Sequence, residues 1–136
     1  MQKTVKVLLM LARLLAAIQI VVGFAIWFGW SGRPVAFHSA VGSLFVLVVW
    51  IVALIALFTL SHRLVPLITL LVGGLLLWFG MAQTSLLVGA GHWAVRLAHV
   101  LVALATLGLV EALAKAVRVH ITTRESALSG PPDRPR

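Results

Sequence analysis

The chain predicts an all-α integral membrane protein, a bundle of four transmembrane helices in up-down order with both termini cytoplasmic. Three observations carry this. Of its 136 residues 62% are hydrophobic and only 10% charged, a balance that leaves too little polar surface for a soluble domain of this size. Four apolar segments reach the roughly 20 residues that a helix needs to cross a bilayer. The cations sit at the segment ends and fall unevenly: Lys3, Lys6, Arg63, Lys115, Arg118, Arg124, Arg134 and Arg136 on one side, Arg33 and Arg96 on the other. The richer side is expected to be cytoplasmic.

The first span covers about 5–29 and follows Lys3 and Lys6. It is too long for a signal-peptide core of roughly 7–15 residues, so it reads as a retained anchor. Trp30-Ser-Gly-Arg-Pro34 breaks the pattern, with the proline placed for a first helical turn. The second span is about 35–60. Ser61-His-Arg-Leu-Val-Pro66 forces a tight hairpin into a third span of about 64–81. The mildly polar stretch Met81 to Gly91 suits the interface, and a fourth span occupies about 92–118. The bundle thus takes residues 1–120, and 121–136 reads as a polar, proline-rich cytoplasmic tail. Trp27, Trp30, Trp78 and Trp93 fall at the outer ends of the spans, as lipid-interface anchors do. Ile26-Trp-Phe-Gly29 and Leu77-Trp-Phe-Gly80 repeat at the ends of the first and third spans, an echo that suggests a duplicated hairpin.

Composition also excludes chemistry. With no cysteine there is no disulfide, thiolate metal site or covalent haem attachment. The net charge of +8 follows membrane topology rather than a stripe on one face, so nucleic acid is not an expected partner.

His38 and His99 lie inside spans two and four, where an unpartnered imidazole is expensive and marks a functional site. At 1.5 Å per residue they sit roughly 6–8 Å and 10–12 Å below the outer surface, a matched depth on helices diagonal across a four-helix bundle. Gly42, Phe45 and Val49 share the His38 face, and Ala103, Thr106 and Val110 that of His99. Gly42 and Ala103 are expected to leave room beneath each imidazole for the edge of a planar macrocycle. The expected cofactor is one haem b, with His38 and His99 as axial iron ligands. Arg96 and Arg33 are candidates to meet its propionates. His92, two turns above His99, is a candidate propionate contact or substitute ligand, whereas His62 and His120 read as solvated interface residues. Arg13 and Glu111, each about two turns inside the cytoplasmic end of its span, are expected to form an ion pair shared with Lys115; a proton or quinone site at Glu111 is the other reading.

The His38-x-x-x-Gly42 and His99-x-x-x-Ala103 pattern on helices two and four resembles one half of heme A synthase and is similar in plan to four-helix membrane cytochromes b. The resemblance spans residues 1 to about 118 and implies His38 and His99 as the axial pair. Heme A synthase has two such units and an acidic residue in an outer loop that this chain lacks, and the diheme cytochromes need an inner histidine pair that is missing here. The resemblance thus implies a single-haem electron carrier of the inner (plasma) membrane. It implies a small, more naturally non-catalytic subunit of a larger respiratory or photosynthetic redox complex, with quinone a candidate partner. The other function classes are a non-haem structural or assembly subunit, and a small multidrug-type transporter, which Arg13 and Gln19 in the first span disfavour.

Overall fold

A computed structural model describes residues 1–83, 85–87 and 89–128. Among these the regular structure is entirely helical: α1 (Gln2–Trp27), α2 (Arg33–Thr59), α3 (Leu64–Ala82) and α4 (His92–Leu128). All four are long and apolar enough to be membrane spans. Many of the large side chains they leave exposed are apolar, among them Met10, Val21, Leu47, Phe58, Leu71 and Leu101, as expected of a surface solvated by lipid rather than water.

The boundaries follow local chemistry. α1 ends in a Schellman turn: Gly29 N–H donates to Ile26 O and Trp30 N–H to Ala25 O. Gly29 stands at φ +104°, a left-handed conformation that favours glycine there. Gly32, at φ +74°, precedes α2, and Pro34 occupies its first turn. α2 and α3 are joined by only Leu60 to Arg63. α4 runs to Leu128, ten residues past the expected end of the fourth span and through the first half of the expected tail. Polarity alone does not stop a helix. Ile121 to Leu128 contains no glycine or proline, and these first occur together at Gly130-Pro131. Gln2 Nε2 also donates to Thr122 Oγ1 at 2.9 Å and to Glu125 Oε2 at 3.4 Å, tying those turns to the start of α1. The remainder of the tail, 129–136, lies outside the described residues.

α2 packs directly on α4; α1 and α3 each touch both of these helices and do not touch each other. The tight core fills one half of the bundle. It takes Val5 to Ala16 of α1, Phe45 to Ala56 of α2 and Thr106 to Ile121 of α4. In the other half, Val95 is the buried residue of α4. Thr69 and Thr106 are fully buried but bond to the carbonyls one turn back in their own helices, Val65 and Val102, which satisfies the hydroxyl without an interhelical partner.

Two interhelical ties stand out. Trp27, Trp30, Trp78 and Trp93 are exposed, whereas Trp50 turns inward and donates from Nε1 to Leu70 O of α3 at 3.1 Å. A Cβ at Gly73 would meet Trp50 Nε1 at 2.8 Å and Cδ1 at 3.2 Å, while one at Gly74 would meet the indole at an ordinary 3.8 Å. Arg13 Nε and Glu111 Oε1 form the second tie at 2.8 Å, with the two side chains 56% and 42% exposed. This pair therefore lies on the outer face of the bundle. Lys115 does not share it: its ammonium makes no ion pair among the described residues.

The Gly73 packing yields a paired expectation. Gly73→Ala overpacks a rigid indole, at about 1–3 kcal/mol, and outweighs the roughly 1 kcal/mol that alanine adds to a helix. Gly74→Ala keeps only the gain. Melting of the purified protein in detergent should rank Gly74→Ala at or above the parent and Gly73→Ala below it; the reverse order would contradict this packing. Similarly, Arg13→Ala and Glu111→Ala should each lower the melting temperature more than the double replacement does, since each single change leaves an unpaired charge on the outer face of an apolar span. Identical melting of all three variants would show that the pair contributes nothing.

Candidate functional site: an imidazole pair between α2 and α4

The direct packing of α2 on α4 brings His38 and His99 together, with ring centroids 6.4 Å apart and planes inclined at 51°. Both rings are partly buried. The Nδ1 of each is buried without a hydrogen-bond partner among the described residues. Phe45 and Val49 lie buried below His38, and Thr106 and Val110 below His99, along the two predicted faces. Phe79 of α3 flanks His99 at 5.8 Å between centroids and is itself stacked on Trp78 at 6.4 Å.

Each imidazole rests on a glycine of the preceding helix. An added Cβ at Gly23 of α1 would meet His38 Cε1 at 3.3 Å, and one at Gly80 of α3 would meet His99 Cε1 at the same 3.3 Å. The two halves of the site thus repeat a helix–glycine, helix–histidine arrangement. The sequence echo is in a different register. Gly80 ends its second copy, but the matching Gly29 lies beyond α1 with open space around it, and Gly23 serves His38 instead.

Gly42 has a different neighbour from the expected ring edge. Gln19 of α1 donates from Nε2 to the His38 carbonyl at 2.8 Å, and a Cβ at position 42 would collide with that Nε2. In a helix the carbonyl of residue 38 faces residue 42, so only a glycine there lets a neighbouring side chain reach it. Gln19 Oε1 is buried beside the same seam without a hydrogen-bond partner among the described residues. Ala103 is half-buried one turn below His99.

The remaining candidates are dispersed around the starts of α4 and α2. His92 opens α4 and donates from Nδ1 to Leu86 O in the preceding connection at 3.2 Å, so its ring is already engaged in closing that loop. The Arg96 guanidinium lies 5.9 Å from the Trp27 ring centroid, a cation–π contact. Arg33 opens α2 and is exposed. Gly23, Gly80, Gln19 and Phe79 are the neighbours that sequence reasoning missed. For Gly23, Gly80 and Gln19 the visible signal was a small or polar residue within an otherwise large, apolar span; Phe79 carried none.

No protein-family model, curated protein or solved structure matches the chain.

The Gln19 tie predicts coupling. Gln19→Leu should cost about 1 kcal/mol, the scale of one hydrogen bond, when position 42 is glycine. It should cost close to nothing in a Gly42→Ala background, where the amide has already been displaced. Thermal melts of the four proteins of this cycle test it, and strictly additive shifts would show that Gln19 and Gly42 act independently.

Proposed function

We propose that the chain is a cytochrome b-like membrane protein that holds one haem b between His38 and His99. In this reading it passes electrons as a small subunit of a larger redox complex. The observation that carries the reading is the 6.4 Å separation of two imidazoles from adjoining helices. A metal–imidazole bond of about 2 Å, added to a ring radius of about 1 Å on each side, gives roughly 6 Å between ring centres. The donor set fits as well: two imidazoles without a partner at Nδ1 among the described residues, an aromatic wall at Phe79, and glycines that admit each ring. When bound, the haem would supply one-electron exchange; two imidazole ligands leave no iron position for oxygen or substrate.

The chain's own groups have distinct parts in this reading. Gly23 and Gly80 let the imidazoles stand upright between helices, and Gln19 fixes the backbone that carries His38. Arg96 and Arg33 are the cations on the His92 side for propionates, and His92 closes the loop above. The up-down order, the cytoplasmic termini and residence in the inner (plasma) membrane belong to the same proposal, supported by the distribution of lysine and arginine. Lipid, redox subunits and quinone are the partners it implies. The rival reading, a non-haem structural or assembly subunit, relies on histidines that bond within the bundle, and among the described residues neither Nδ1 does so.

The test is optical. The purified protein, loaded with haem, should show a Soret band and a reduced-minus-oxidised b-type spectrum. His38→Ala or His99→Ala should each remove most of the bound haem while membrane insertion persists. His92→Ala should retain it. A colourless protein after loading would sink the reading, and bleaching by His92→Ala but not by His99→Ala would move the ligand on α4.

A further inference from the structure

α4 has 37 residues, about 55 Å of helix at 1.5 Å per residue, against a hydrocarbon core of about 30 Å. Its last third therefore stands at or beyond the level of the lipid headgroups once the helix spans. Two adjoining concavities of about 270 and 610 Å³ open on that third and share Lys115, Val119 and Thr123. Arg118 borders the first. The second reaches across to Leu60 at the end of α2 and carries His120.

The charge here is of one sign and unspent. Lys115 and Arg118 stand three residues apart, hence on one side of the helix, and neither ion-pairs among the described residues. Arg118 Nε reaches only the Ala114 carbonyl, at 3.3 Å. The two carboxylates among the described residues are engaged elsewhere: Glu111 with Arg13, and Glu125 with Gln2. Among the described residues no carboxylate borders either concavity. Cations and a hydroxyl stand at headgroup level, and Leu60 and Val119 supply an apolar wall beside them.

The geometry points to a binding site for an anionic phospholipid, its phosphate held by Lys115 and Arg118 and its acyl chain lying along Leu60 and Val119. Basic pockets between transmembrane helices take lipid headgroups by this chemistry. Each cation contributes through charge, and the wall makes a whole lipid a better ligand than its phosphate alone. The site is independent of the imidazole pair.

Native mass spectrometry of the full-length protein in detergent, titrated with phosphatidylglycerol and with phosphatidylcholine of the same acyl chains, tests this. The parent protein should prefer phosphatidylglycerol, and Lys115→Gln/Arg118→Gln should lower that preference roughly tenfold or more, the scale of two surface cations against an anionic lipid. Lys3→Gln/Lys6→Gln alters cations near the same end of the bundle but outside the groove, and should leave the preference nearly unchanged. If the double variant loses its helical circular dichroism, protection of Lys115 from acetylation by phosphatidylglycerol in the unaltered protein gives the reading instead. Absence of a preference in the parent, an equal loss in the Lys3/Lys6 variant, no protection of Lys115, or displacement of the lipid by equimolar inorganic phosphate would each overturn the assignment.

Discussion

Everything specific about this bundle depends on the direct packing of α2 against α4. Four helices around a square core would hold diagonal partners apart. Here one diagonal closes and the other stays open, so α1 and α3 act as flanks to a central pair. Closing that diagonal brings His38 and His99 to 6.4 Å and places Phe45, Val49, Thr106 and Val110 out of contact with the surroundings. The uneven filling of the core follows along the same seam: buried where these side chains meet, and only partly buried where the imidazoles stand.

Small residues decide how near each flank can come. Gly73 admits the Trp50 indole, Gly42 admits the Gln19 amide, and Gly23 and Gly80 admit the two imidazoles. All four are interior helix positions where glycine lowers helix propensity. In a bundle lacking a hydrophobic drive between helices, close approach and interhelical hydrogen bonds are what remain to hold the elements together. The glycines therefore sit where polar side chains cross from one helix to the next.

The four helices were legible because spans in an apolar medium need an unbroken run of apolar residues, and the turns between them carry Gly29, Gly32 and Pro34 or Pro66 in plain view. The end of α4 was not, since Thr122 to Leu128 has the polarity of a tail but the backbone preferences of a helix, and Gln2 supplies the tie that keeps it. The juxtaposition of His38 with His99 followed from depth and helix order alone. The side chains behind them did not, because which face of α1 meets Gly42, or which glycine of α3 meets His99, depends on helix rotation. A nearly uniform apolar sequence encodes that rotation weakly.

The Arg13–Glu111 pair joins the first helix to the last, and 98 positions separate the two charges. In a chain made and inserted from its N-terminus, Arg13 reaches the membrane long before its counter-charge has been synthesised. Until α4 arrives, α1 must hold that guanidinium against the interface by its own length or with lipid phosphate. Closure of the bundle is then also the moment at which the charge is neutralised.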